Sequence, residues 1–305
     1  MISPEERTVI DGRYEVLKPL GRGGVGKVFL ARDLETGEQV ALKLLRSRFQ
    51  GNERAIARFE REVEAVRRLD HPCIVKIFHA GRDGETVYYT MEYIEGKSLR
   101  HWMAQKGKLP FGSVVRVLCL VADALEHAHR VTIHRDVSPE NVMVMKDGGV
   151  RLLDFGMAKL TDTNQALTQV GVSLGKLLYV APEQRMNAAQ VDRRADIYPL
   201  GVMFYETLAG QLPDGTKRLT ELRPDLPPQA EAFLASAMAD DPNERFNTAR
   251  EFRAALLKLY TDYETGAAIV PETVPSSAHS GSWFSRLLSA LAFWRRPQDY
   301  RSNEI

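Results

Sequence analysis

The chain has 305 residues, 44% hydrophobic and 27% charged, which excludes a chain disordered throughout and supplies length for one large domain or two lobes with a real core. With 41 basic residues against 40 acidic the formal charge is +1, so no global field draws nucleic acid or an anionic membrane, and phosphate binding has to arise from a local site. Cys73 and Cys119 have no metal-ligand spacing and fall among apolar residues, the setting of buried, reduced thiols in a cytoplasmic protein.

Residues 1–11 read as an N-terminal extension. Its opening, MISPEERTVI, has no charged lead before an apolar core, and no apolar run nears the roughly 18 residues that cross a bilayer, so neither export nor an integral span is expected. From Tyr14 to Tyr93 the runs YEVLKPL, GKVFLARD, EQVALKLL, VKIFHAG and VYYTMEY alternate with Gly, Asp and Thr turn signals and predict a small sheet-rich lobe over 12–93. One helix interrupts it, with Ile56, Phe59, Val63, Val66 and Leu69 at helical spacing and His71-Pro72 closing the run. Beyond it, SVVRVLCLVADALEHAHR, DIYPLGVMFYETLAG, QAEAFLASAMA and TAREFRAALLKLY predict a larger helical lobe over 94–260. The helix around Leu200 to Leu208 is apolar almost all round, as suits its centre.

Residues 261–282 are rich in Pro, Ser and Gly and read as a flexible linker. In the tail, 283–305, Phe284, Leu287, Leu288 and Leu291 would share one helical face, with Trp at both ends and Arg295-Arg296 behind. Trp283 to Arg296 is therefore a candidate for lying on a membrane surface or docking on a partner protein, against a helix packed on its own domain or an unpacked tail.

GRGGVGKV, residues 21–28, fits two phosphate-binding patterns. One is G-x-x-x-x-G-K, a P-loop whose metal-ligating hydroxyl is replaced by Val28; the other is G-x-G-x-x-G-x-V, built on Gly21, Gly23 and Gly26. A P-loop opens into a helix, whereas KVFLARD continues as a strand, so the second pattern is favoured. In VALKLL, Lys43 sits in an otherwise apolar strand and needs a carboxylate. On the helix, Glu62 belongs to the buried face while Glu60 and Glu64 turn outward, which makes it the natural partner, as a structural ion pair or as part of a phosphate site. Next come HRDVSPEN at 134–141, DFG at 154–156 and APE at 181–183.

In this order and spacing, with DIYPLG and DPNERF following, residues 12–260 resemble the protein-kinase superfamily, specifically the eukaryotic-like (Hanks-type) Ser/Thr kinases of bacteria. The resemblance implies an α+β bilobal fold, with a small β-rich N-lobe carrying one main helix and a larger α-helical C-lobe. It implies transfer of the γ-phosphate of ATP to Ser/Thr hydroxyls of protein substrates, with Mg2+ or Mn2+. Such transfer asks the protein to align two oxygens and to offset charge, through metal ligands and one carboxylate beside the attacking hydroxyl. By resemblance, Asp154 and Asn141 match the metal ligands and Asp136 the carboxylate. Glu92 to Ile94 match the hinge that bonds the adenine edge, with Met91 at the entrance to the pocket behind it and Val28, Ala41 and Met143 sandwiching the ring. Glu183 is expected to pair with Arg245, and Asp196 to brace the loop holding His134.

The sequence departs from that family at one pair of positions. Ser138 stands where the catalytic loop carries a lysine, and GKLLYVAPE puts Lys176 where the family has a threonine. With the two chemical types exchanged, Lys176 is expected to supply the charge, with the Ser138 hydroxyl also at Asp136, so that catalysis survives. Arg135 matches the reader of an activation-segment phosphate, for which Thr168 lies best among Thr161, Thr163, Thr168 and Ser173. Autophosphorylation would take a transient homodimer. Between Gly210 and Arg245 the chain is shorter than the family usually carries, and LPDGTKRLTELRPDLPP within it looks loop-like. The rival readings are a pseudokinase scaffold that binds nucleotide or partners without transfer, and a P-loop NTPase.

Overall fold

The computed structural model describes residues 8–22, 26–45, 53–155, 174–186 and 191–266. Gly23, the candidates Thr161, Thr163, Thr168 and Ser173, and the tail segment Trp283 to Arg296 lie outside the described residues.

The first lobe is a six-stranded antiparallel sheet in the order β1-β2-β3-β4-β6-β5. Its strands are β1 (Val9–Ile10), β2 (Tyr14–Arg22), β3 (Gly26–Asp33), β4 (Gln39–Leu45), β5 (Ile77–Asp83) and β6 (Thr86–Glu92). Residues alternate between the sheet's faces, so it buries two apolar sets. Ile10, Tyr14, Ala31, Val40, Leu42 and Tyr88 pack on one face. Ala41, Leu45, Ile77 and Tyr89 point to the other, against helix α1 (Glu53–Arg67), whose Ile56, Phe59, Val63 and Val66 are buried as their spacing predicts. β1 lies within the expected extension yet pairs Val9 with Glu15 on β2. A two-residue strand has no periodicity to read.

The second lobe opens with a small sheet, β7 (Gly96–Ser98), β8 (Val142–Met145) and β9 (Val150–Leu152). Its helices are α2 (Leu99–Lys106), α3 (Phe111–Ala128), α4 (Leu174–Leu177), α5 (Pro182–Met186), α6 (Ile197–Ala209), α7 (Leu219–Leu222), α8 (Gln229–Ala237) and α9 (Ala249–Thr265). Almost every residue of α6 is buried, and Gly210 ends it in a left-handed conformation. α9 starts at the Thr248 side-chain cap and runs to Thr265, past the expected end at Tyr260, because Tyr263 stacks edge-on against Phe111 at 5.0 Å. Only the four-residue α7 interrupts 211–228, in line with the loop-like reading. No described helix is long and apolar enough to cross a membrane.

Residues 73–75 couple the lobes. The Val75 amide donates to the Leu152 carbonyl at 3.1 Å and the Leu152 amide to the Cys73 carbonyl at 2.8 Å, so the chain leading into β5 is pinned to β9. One apolar core runs from α1 through this junction to α9. Cys73 is buried, Cys119 is half-buried, and both are free thiols.

Candidate active site

The loop 134–141 hangs from a buried carboxylate at the start of α6. Asp196 Oδ2 accepts from the His134 amide at 2.8 Å and Oδ1 from the Arg135 amide at 2.7 Å, while His129 Nε2 meets Oδ2 at 2.8 Å. Burial pushes Asp196 up, but the hydrogen bond and charge of His129 and the hydrogen bond from the His134 amide oppose it, and the carboxyl is held below its ordinary range. These bonds stabilise Arg135 at φ +62°, a left-handed conformation that is costly for a residue with a Cβ. The Arg135 carbonyl also accepts from Gln184 at 3.2 Å. His134 is fully buried against Phe155, its Nδ1 accepting from the Asp136 amide at 3.2 Å and its Nε2 donating to the Leu153 carbonyl at 2.9 Å. Only a neutral ring protonated on Nε2 does both, and burial holds its pKa down accordingly.

This frame presents Asp136. Asn141 Nδ2 donates to the Asp136 carbonyl at 2.8 Å and to Oδ2 at 3.1 Å, which commits the nitrogen end of the amide inward. Lys176 of α4 reaches the same Oδ2 with its ammonium at 3.2 Å. Ser138 behaves differently from expectation. It is 1% exposed, and its Oγ is buried with no hydrogen-bond partner, so the hydroxyl does not meet Asp136. Asn141 fills that role at the carboxylate instead.

Lys43, opposite Tyr89 in the β4–β6 register, is buried as expected. Its partner, however, is Asp154 Oδ1 at 2.6 Å rather than Glu62, which sits half-buried on α1. Asp154 wins the single ammonium because its own φ of +52° and a second donor, the Tyr89 hydroxyl at 2.9 Å, hold its carboxylate against the strand. Burial pushes Asp154 up, yet the charge of Lys43 and the hydrogen bonds from Lys43 and Tyr89 keep it below the usual carboxylate range. Burial and the neighbouring carboxylate push Tyr89 well up, so it remains a protonated donor. The sequence reading missed Tyr89, since a tyrosine in a β-type run reads simply as core.

Above Asp154, Val28 lies opposite Lys43, and Ala41 opposite Met91. Met143 is half-buried on β8, and Glu92 and Ile94 stand where the chain crosses from β6 to β7. The Glu92 carboxylate accepts from Arg151 at 3.3 Å. Gly26 is required sterically, because a Cβ there would lie 2.0 Å from the Leu44 carbonyl oxygen; Gly21 faces open space. At the far end of the segment, Arg245 is fully buried and holds Glu183 through two bonds of 2.7 Å, as expected.

Comparison with known proteins agrees with this geometry. The protein kinase domain family matches residues 14–258. The serine/threonine-protein kinase PknL of Mycobacterium tuberculosis is 34% identical over 292 residues, 90% of this chain and 73% of PknL. The serine/threonine-protein kinase pkn3 of Myxococcus xanthus is 38% identical over 271 residues, of which it supplies 49% of its own length against 80% of this chain. The solved PknI kinase domain of M. tuberculosis superposes with a TM-score of 0.71 at 30% identity, covering 85% of this chain and all of that one. The chain thus belongs to the protein kinase family, among its Hanks-type bacterial Ser/Thr members.

Proposed function

We propose that the chain is a working kinase that transfers the γ-phosphate of ATP to Ser or Thr hydroxyls of protein substrates. The observation that carries this reading is the Lys176 ammonium 3.2 Å from Asp136 Oδ2, a cation standing at the acid that would receive the substrate hydroxyl. Asp136 would orient that hydroxyl and accept its proton. Lys176, about two-fifths exposed, can swing from Asp136 toward a phosphoryl group and offset its charge, the task left open by Ser138. Lys43 would turn to the nucleotide phosphates, beneath the loop anchored by Gly21 and Gly26.

The donor set suits Mg2+, or Mn2+ in its place. Asp154 Oδ2 and the side-chain amide oxygen Oδ1 of Asn141 are hard oxygen donors that no hydrogen bond or ion pair engages among the described residues, and one or two such ligands plus phosphates are what Mg2+ takes. When bound, the metal would neutralise phosphate charge. Ala41, Val28 and Met143 offer apolar surface for a purine, and Glu92 and Ile94 main-chain groups for its edge. Autophosphorylation on Thr168 read by Arg135, through a transient homodimer, belongs to the same reading, as does a cytoplasmic protein whose tail touches a membrane or partner.

The test is transfer of label from radioactive ATP to the chain itself and to a general protein acceptor, wild type beside Asp136→Asn. The expected outcome is incorporation by wild type that falls by about 100-fold or more in the variant. A scaffold without transfer would leave both unlabelled.

A further inference from the structure

A tyrosine that only filled the core behind β6 would need no hydroxyl. Tyr89 is 1% exposed, its ring packs 5.9 Å from Phe59 of α1, and phenylalanine would make that contact as well. A buried phenol must find a partner, and this one finds Asp154 Oδ1. Asp154 in turn adopts φ +52°, which the backbone of an aspartate does not favour unless its surroundings hold it there. Among the described residues two side chains grip its carboxylate, Lys43 and Tyr89. Both act on Oδ1, so the second oxygen is left for a cation.

The two grips are not equivalent. Lys43 has a long flexible stem and a charge that nucleotide phosphates would compete for, whereas Tyr89 is rigid, neutral and walled in by Phe59. Once Lys43 is shared with phosphate, the phenol is the donor that stays.

We propose that Tyr89 is a positioning residue for the metal site: its hydroxyl fixes the rotation of the Asp154 carboxylate so that Oδ2 faces the divalent cation. The role resembles that of hydrogen-bond donors behind metal ligands generally, whose loss typically weakens metal binding by roughly 10- to 100-fold. Through Phe59 the same ring touches α1, so a shift of that helix would be felt at the carboxylate. This inference rests on the kinase reading of Asp154 as a metal ligand.

The test measures Mn2+ binding by electron paramagnetic resonance of the free ion, with full-length protein and ADP, which allows no turnover. Tyr89→Phe should weaken Mn2+ binding by about 10-fold or more, with ADP affinity in chelator unchanged and the melting temperature of the ligand-free protein retained. Tyr89→Met, apolar and without a donor, serves as second variant if Tyr89→Phe does not fold. A folded variant that binds Mn2+ as tightly as wild type, or more tightly, overturns the proposal, and so does failure of both variants to fold, which would make Tyr89 a core residue. Asp154→Asn separates the two levels. If it too leaves Mn2+ binding intact, the metal-ligand reading itself fails; if it abolishes binding while Tyr89→Phe does not, only the role of Tyr89 falls.

Discussion

Ser138 and Lys176 show how one exchange of side chains is resolved in three dimensions. The ammonium arrives at Asp136 from α4, while the hydroxyl stays buried without a partner. An unsatisfied buried hydroxyl costs about 1–3 kcal/mol, so Ser138→Ala is expected to raise stability by about 1 kcal/mol, read as a higher melting temperature. The buried imidazoles carry a second expectation. Burial holds both His134 and His71 below the ordinary imidazole value of 6.5. As pH falls through that value the unfolded chain takes up protons and the folded chain does not, so their contribution is full above 6.5 and is lost toward the lower folded pKa. Melting temperature should therefore drop between about pH 7 and about pH 5, with a shallower slope in His71→Gln. Lys43, Asp136, Asn141 and Asp154 were legible because their motifs are local in sequence. The partner of Lys43 was not, because choosing between two carboxylates depends on the backbone angle at Asp154 and on a phenol from a different strand.

Among the elements, α1, α3, α6 and α8 follow their apolar periodicity closely, since a helix buried on one face, or on all, writes that burial into its spacing. The end of α9 could not be read that way. Tyr260 and Tyr263 stack on Phe111 from across the lobe, a contact that overrides the turn-prone composition that follows. Removing it by Tyr263→Ala should cost about 2 kcal/mol, measurable by denaturant titration. A polar junction ties other elements together. Arg100 of α2 donates to Glu140 within the loop 134–141 at 2.8 Å, to Glu206 inside α6 at 2.6 Å and to the Tyr179 hydroxyl at 2.9 Å. Burial pushes the Glu206 carboxyl up, and the hydrogen bond and charge of Arg100 oppose this. Arg100→Ala would leave that acid buried and unpaired, and a loss of about 2–3 kcal/mol is expected from the same titration.

At the scale of the molecule, the sheet lobe and the helical lobe share one core and are stitched at residues 73–75, which brings Lys43 from one and Asp154 from the other within 2.6 Å. The two-lobe outline was legible in the order of the runs along the chain, because β-type runs give way to helical ones near Gly96. The agreement with PknL and the PknI kinase domain extends over most of the chain. Within the cleft, the positive charge at Asp136 comes from Lys176 of α4, while Ser138 of the loop 134–141 stays buried. The most direct measurement of what that charge does is steady-state phosphotransfer by Lys176→Met beside the double variant Lys176→Thr with Ser138→Lys. If Lys176 offsets the charge, kcat falls by about 100-fold in Lys176→Met with KM for ATP little changed, and the double variant recovers much of the loss. Wild-type kcat in Lys176→Met, under conditions where Asp136→Asn is inactive, would contradict that role.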